Sequence, residues 1–306
     1  MSGPYDILAV GYACIDYIAA IDRLPNLDEK LMVDDLVIQG GGLSATAMVC
    51  AARLGARTGL VAALAKDPLG RQIVSELDEE HVDSSVSPIY SEGRSAWAFC
   101  MIQRGTGLRT IIGRRPVLPQ LTGENVPMEE VRRAKVVFID STEPVAQLAA
   151  AKAAYKAGVP VVMDADNATE GTDELVLNTD VLIASREFGR AVGGSDDPAE
   201  AAKSLLSKGH VKIAAVTAGI EGAYFHSAEG AFHQPAFKVD VVDTTGAGDA
   251  FHGAYAYTMV RNWPIRKSAE FAAAVAAMKC TKIGGRTGLP TLAQVEEFIR
   301  QRSGGR

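Results

Sequence analysis

The chain is expected to fold as an α/β protein, with a mostly parallel sheet covered by helices on both faces, and three observations lead there. Short β-branched runs recur along it, longer helix patterns separate them, and the alternation holds almost to the end. Ile7–Val10 and Thr58–Leu64 read as buried strands, with an Ala-rich helix Ser44–Leu54 between them. Gly70–His81 reads as the next helix. Val136–Ile139, Val161–Met163, Val181–Ala184 and Ile213–Val216 are further short β-branched runs. Helix patterns at Val145–Lys156, Glu187–Val192 and Pro198–Ser207 lie among them. Val239–Val242 reads as an extended run before a largely apolar helix, Ala250–Val260, and Lys267–Lys282 and Leu292–Gln301 close the chain with helices.

Two stretches break the rhythm. Tyr17–Gln39 and Ser95–Ile112 carry β-formers and turn signals, yet no crossover helix directly follows either, so they read as a separate small sheet. No internal repeat, low-complexity tract or Pro-rich linker divides the sequence. Residues 1–306 therefore read as one domain.

At 306 residues, 47% hydrophobic and 22% charged, the chain can bury one large core or two modest ones. A net charge of −6 without a basic run argues against a nucleic-acid partner. Cys14, Cys50, Cys100 and Cys280 are scattered without a CxxC pair, which favours free buried thiols and a reducing, cytoplasmic setting. The N-terminus lacks the pattern of a signal peptide, and no apolar run reaches ~18 residues, so no membrane partner is expected. The five histidines show no metal-ligand spacing.

The most informative segment is Asp243-Thr244-Thr245-Gly246-Ala247-Gly248-Asp249, followed by Ala250-Phe251-His252-Gly253. Gly246, Ala247 and Gly248 sit at a helix start, where backbone N–H groups lack intrahelical partners and the dipole is positive. Small residues let a phosphate approach. Asp249, at the opening of the same helix, is placed to take a proton from an attacking hydroxyl. A capping Asp behind a Gly-rich turn would read the same in isolation.

The whole segment resembles, position for position, the signature of the ribokinase-like (PfkB) carbohydrate kinase family. The resemblance implies a ribokinase-like three-layer sandwich with a small β lid formed by roughly residues 13–39 and 95–113. It implies ATP as phosphoryl donor, Asp249 as catalytic base and Gly246–Gly248 as the anion hole. It also implies a lid that closes over the sugar and pairs with a second subunit's lid in a homodimer.

Further segments resemble the same family. Gly40-Gly41-Gly42-Leu43-Ser44-Ala45-Thr46-Ala47, running on to Leu54-Gly55, is similar to its N-terminal signature, except that Ala45 stands where many members carry a sugar-binding Asn. Gly41 and Gly42 then belong to the sugar grip. Asp16 matches the early Asp that binds sugar hydroxyls, and a carboxylate can accept two such bonds in fixed geometry. Thr217-Ala218-Gly219-Ile220-Glu221-Gly222 resembles the strand-turn that borders ATP, with Gly219 and Gly222 making room for the nucleotide.

Glu187 takes the place of the last residue in the Asn-x-x-Glu magnesium motif, although Ala184 replaces its Asn. Mg2+ keeps most of its waters and needs few direct protein ligands, so its use survives that loss. Asp243 and Thr245 match positions that often hold a monovalent cation, which implies K+ activation.

Within the family, His233–Asp240 and Lys279–Thr281 with Gly284-Gly285-Arg286 most resemble the sulfofructose kinases. Lys30 matches their lid Lys, but Gly113 and Thr142 stand where an Asn and an Arg would hold the sulfonate. Arg114 and Arg115 lie next door as replacement donors. The sequence thus reads as an ATP-dependent kinase acting on a hydroxyl of a ketose or related sugar, anionic in the sulfofructose-like case. Rivals are a nucleoside kinase, with Trp97 and Phe99 as a base clamp, and an inactive sugar- or nucleotide-binding regulator.

Overall fold

The computed structural model describes residues 4–303. In chain order the first half contains β1 Ile7–Val10, β2 Cys14–Ile21, β3 Val37–Gly41, α1 Leu43–Arg53, β4 Thr58–Val61, β5 Leu64–Ala65 and α2 Pro68–Glu79. Then follow β6 Val82–Asp83, β7 Ile89–Tyr90, β8 Trp97–Gln103, β9 Arg109–Arg114, α3 Met128–Arg133, β10 Val136–Ile139 and α4 Pro144–Ala157. The second half holds β11 Val161–Ala165, α5 Thr172–Leu177, β12 Val181–Ser185, α6 Arg186–Gly193, α7 Pro198–Leu206 and β13 Ile213–Thr217. It ends with β14 Ala223–Ser227, β15 Gly230–Gln234, α8 Ala247–Val260, α9 Ile265–Lys279 and α10 Leu292–Ser303.

Nine strands form the large sheet in the order β15-β14-β13-β12-β11-β10-β1-β4-β6. It is parallel from β13 to β6, and β14 and β15 add an antiparallel hairpin at one edge. Alternation along a strand splits the core into two halves. Ile7 and Ala9 of β1 pack with α1, α8 and α9 on one face, while Leu8 and Val10 pack with α4 on the other. Each layer buries strand residues that are apolar on both sides, as a doubly covered parallel sheet requires.

Helix starts follow local chemistry. Asp67 accepts the Gly70 N–H at 2.7 Å with Pro68 in the first turn of α2, and Ser185 accepts the Phe188 N–H at 3.0 Å to open α6.

Three sequence expectations change. Thr58–Leu64 is broken at Ala62–Ala63 into β4 and β5, which pair in different sheets. Val239–Val242 is not a strand; Val241 and Val242 are exposed, and Val242 and Asp243 instead donate their N–H groups to the Cys280 carbonyl at 2.8 and 3.2 Å. The β14–β15 hairpin stands where the sequence offered no strand, because its residues alternate only weakly.

The two rhythm-breaking stretches meet in one four-stranded sheet, ordered β3-β2-β8-β9. Its register fixes what each face carries. Asp16 lies beside Gln39, Ala98 and Gly113, whereas Tyr17 lies beside Ile38, Phe99 and Ile112. Side chains alternate between faces, so Asp16 and the aromatic residues point to opposite sides. All four cysteines are buried and unpaired. Among the described residues no helix is long and apolar enough to cross a membrane.

Candidate active site

The site lies where the strand ends of the large sheet meet the small sheet, as expected for ligand binding in a parallel α/β fold. The signature segment fills one side. Gly246 adopts φ +73°, and its α-carbon lies so close to Gly285 that a Cβ would sit 2.9 Å from the Gly285 α-carbon. No side chain caps α8. Among the described residues the N–H groups of Gly246, Gly248 and Asp249 have no hydrogen-bond acceptor, while that of Ala247 is turned inward to the Thr244 carbonyl at 3.2 Å. Free amides at a helix start attract an anion. At Gly248 a Cβ would meet only the His252 ring, at 4.0 Å, so nothing in the protein itself fills that space.

Asp249 occupies the first turn of α8. Burial, reinforced by the charges of Asp164 and Asp166, pushes its carboxyl up to about 8, against opposing pulls from His252 and Arg109. Asp164, at the end of β11, is itself raised by burial and by Asp166 and Asp140, and its Oδ2 is buried without a partner. The sequence reading missed these two carboxylates, although their place at the carboxyl end of a predicted strand is a usable signal. His252 is a core histidine: its Nδ1 lies 2.6 Å from the Gly248 carbonyl and its Nε2 3.1 Å from that of Ile183. Burial lowers its pKa.

On the small sheet is Asp16, which burial raises and the Cys14 thiol and Arg286 lower. Cys14 Sγ donates to Asp16 Oδ1 at 3.2 Å. Gly41 is required here by close approach, because a Cβ would overlap the Asp16 carboxylate. Behind the turn, Arg286 is 4% exposed and donates through Nη2 to the Gly41 carbonyl at 3.1 Å, while Glu76 accepts the Gly40 N–H. Gly42, with φ +94°, precedes α1. Asp140 anchors the neighbouring loop by accepting from Tyr12 N at 2.8 Å and Ser44 Oγ at 2.6 Å. Nothing in the sequence had singled out Asp140 or the role of Arg286.

The hairpin β8–β9 reaches across to the signature. Arg109 Nη1 lies 3.3 Å from Thr244 Oγ1 and acts electrostatically on Asp249. Arg109 has the same strand parity as Gly113, which places it on the Asp16 side of the sheet.

Other sequence-predicted residues fall as follows. Thr217 Oγ1 donates to the Ala184 carbonyl at 3.2 Å, and the Gly219–Glu221 turn leaves Gly219 with no heavy atom within 4 Å of a Cβ and Ile220 94% exposed. The carbonyl of Gly222 accepts the Ala218 N–H at 2.7 Å. That open turn suits a nucleotide. Glu187 is exposed in the first turn of α6, and Ser185 Oγ ties this turn to the Asp166 carbonyl at 2.6 Å. Among the described residues no three His, Cys, Asp or Glu side chains gather to hold a metal ion, so a hydrated Mg2+ would rest on few direct protein ligands here.

Asp243 is fully buried. Its Oδ1 accepts Thr245 N and its Oδ2 accepts Gly284 N, both at 2.7 Å, and its carbonyl accepts Lys279 Nζ at 2.7 Å. The Thr245 hydroxyl is buried without a partner. The K+ expectation meets an obstacle here, since an ammonium already faces the Asp243 carbonyl.

Two expectations for the small sheet change. Arg114 does not lie on the Asp16 face: it pairs across from Trp97, opposite in parity to Gly113, and donates to the Ser95 carbonyl at 2.8 Å. Arg115 follows the end of β9, and its charge reaches Tyr12 beside the Asp16 turn. Trp97 and Phe99 also lie on the face away from Asp16, so these two residues form no aromatic clamp on the Asp16 face. Lys30 is exposed on the β2–β3 loop and makes no ion pair among the described residues.

Comparison with known proteins follows this geometry. Residues 5–292 match the family described as pfkB family carbohydrate kinase. An ATP-dependent ribose-1-phosphate kinase from Halopiger xanaduensis is 28% identical over 299 residues, covering 97% of this chain and 98% of that protein. A 5-dehydro-2-deoxygluconokinase from Geobacillus kaustophilus is 29% identical over 326 residues, covering 99% and 96%. The solved structure of Arabidopsis thaliana ribokinase complexed with ribose and ATP shares the fold with a TM-score of 0.83 at 26% identity, over 97% of this chain and 99% of that one.

Proposed function

The chain belongs to the pfkB family of carbohydrate kinases, and from that premise we propose that it transfers the γ-phosphoryl group of ATP to a hydroxyl of an anionic sugar derivative. The observation that carries this reading is the pairing of Asp249 with the free amides of Gly246 and Gly248 at the start of α8.

Asp16 and the Gly41–Gly42 turn hold sugar hydroxyls. Asp249 accepts the proton of the attacking hydroxyl as its oxygen bonds to the γ-phosphorus, and the bond to the β–γ bridging oxygen breaks to release ADP. The amides of Gly246, Gly248 and Asp249 hold the charge on the transferred group, at no reorganisation cost because the backbone already points there. Thr217, Gly219 and Gly222 border the nucleotide. Glu187 and Asp166 would hold a hydrated magnesium ion, which would screen the phosphate charge.

An anionic substrate is favoured by the cations around the sugar side, Arg109 and Arg115 with Lys30 on the adjoining loop, in a chain whose net charge is −6. Two relatives are named for substrates of that kind, ribose 1-phosphate and a deoxygluconate derivative. A sulfosugar such as sulfofructose belongs to the same chemical class. The outer lid face, with exposed Ile38 and Ile112 beside Tyr17, Trp97 and Phe99, suits pairing with a second copy of the chain. Sedimentation of the purified protein tests that pairing.

A coupled ADP-release screen over sugar phosphates, keto-deoxy sugar acids, sulfosugars, neutral ketoses and nucleosides tests the substrate class. The highest kcat/KM is expected for an anionic sugar. A nucleoside or neutral ketose in first place would overturn the substrate class, and binding without turnover of any of them would favour the regulator.

A further inference from the structure

We propose that Lys279 is the active site's own monovalent cation, so that the enzyme works without potassium. The inference rests on reading the site as a kinase centre and concerns how its anion-binding loop is held.

Lys279 ends α9 and is fully buried, a costly place for an ammonium. Its Nζ donates to the Asp243 carbonyl at 2.7 Å. The Asp243 carboxylate, also fully buried, accepts from Thr245 N and Gly284 N. The lysine therefore sets a positive charge within electrostatic reach of a buried carboxylate, through the backbone carbonyl of the same residue, and joins two loops. One, Asp243–Gly246, leads into the free amides of α8; the other, Cys280–Gly285, packs against Gly246. The carbonyl end of α9 adds a favourable dipole for a cation.

A bound metal ion would do the same work with carbonyl and carboxylate oxygens. Ammonium and K+ carry equal charge and make oxygen contacts of similar length, so one can replace the other. The ammonium at 2.7 Å repels a second cation from the Asp243 carbonyl and competes for that oxygen. Burial pulls the Lys279 pKa down, while Asp243 and Asp249 pull it back toward the charged form. Removing the side chain would leave space, the Asp243 carbonyl and the partnerless Thr245 hydroxyl for a small cation. Lys279 is thus a positioning residue, acting through the loop that presents Gly246 and Gly248.

The test has a part that needs no substrate. Thermal unfolding of the parent protein is measured in choline, sodium and potassium chloride at fixed ionic strength, and Tm is expected to be equal in sodium and potassium. Parent kcat is expected to differ by less than twofold between these salts. Lys279→Ala is expected to lose at least tenfold in kcat, to bind ATP as the parent does, and to recover several-fold in both kcat and Tm with potassium, ammonium or methylammonium over choline. A parent protein that is stabilised or activated several-fold by potassium over sodium overturns the proposal even if the variant fails to fold. A folded variant that no small cation rescues also overturns it. If no sugar is phosphorylated at all, the kinase reading fails, and the salt dependence of Tm still decides the role of Lys279.

Discussion

Thr244 donates both its N–H, at 3.1 Å, and its hydroxyl, at 2.9 Å, to the carbonyl of Gly107. The turn of the β8–β9 hairpin is thereby fastened to the loop that opens α8, and Arg109 on the same hairpin reaches the same threonine. Thr244→Val removes the hydroxyl bond and keeps the shape. A lost bond of about 1 kcal/mol should raise the sugar KM roughly fivefold. Hydrogen exchange at residues 104–109 should quicken in parallel, and unchanged exchange there would show that the hairpin is held by other contacts.

Asp249→Asn should keep the fold and ATP binding while lowering kcat by roughly 10²–10⁴, the usual contribution of a positioned base. Turnover of the best substrate at the parent rate would remove Asp249 from the chemistry.

The base must be ionised to act, and burial with Asp164 and Asp166 pushes Asp249 up to about 8. kcat/KM should therefore rise with pH through an apparent pKa near 8 in the free enzyme. Asp164→Asn removes a negative neighbour, so the carboxylate becomes easier to form and the acid limb should move to lower pH. A limb that stayed in place, or moved up, would separate the two residues.

Arg115 and Arg114 are neighbours in sequence with opposite expected effects. Arg115→Ala should raise KM for an anionic sugar tenfold or more, about 1.4 kcal/mol, and leave KM for ATP nearly unchanged. Arg114→Ala, which loses the bond to the Ser95 carbonyl, should lower stability and spare the sugar KM. Steady-state kinetics of both variants on one anionic substrate would expose a reversal.

Arg286→Ala should cost about 3 kcal/mol of stability, because it leaves the Gly41 carbonyl and the nearby Glu76 without a buried cation. Urea unfolding monitors this. The sugar KM should rise with it, since the Gly40–Gly42 turn loses its support.

By itself the sequence determined the features that depend on neighbouring residues. Ile7–Val10 and Val136–Ile139 are strands as their β-branched runs imply, and Gly246–Gly248 start a helix because glycine accepts the φ of +73° and small residues leave the amides open. The family signatures lie in such local segments, so the kinase class was legible with them. Tertiary structure decided the rest. Which face of the small sheet carries Arg109, and which carries Arg114, Trp97 and Phe99, depends on the β2–β8 and β8–β9 registers; a slip of one residue would exchange the faces. Lys279 meets Asp243 across 36 residues and Arg286 meets Gly41 across 245, through the packing of helices and loops. Local backbone preference is set by a few adjacent side chains, whereas a buried cation finds its partner only when distant segments close around it, and no spacing in the chain records that distance.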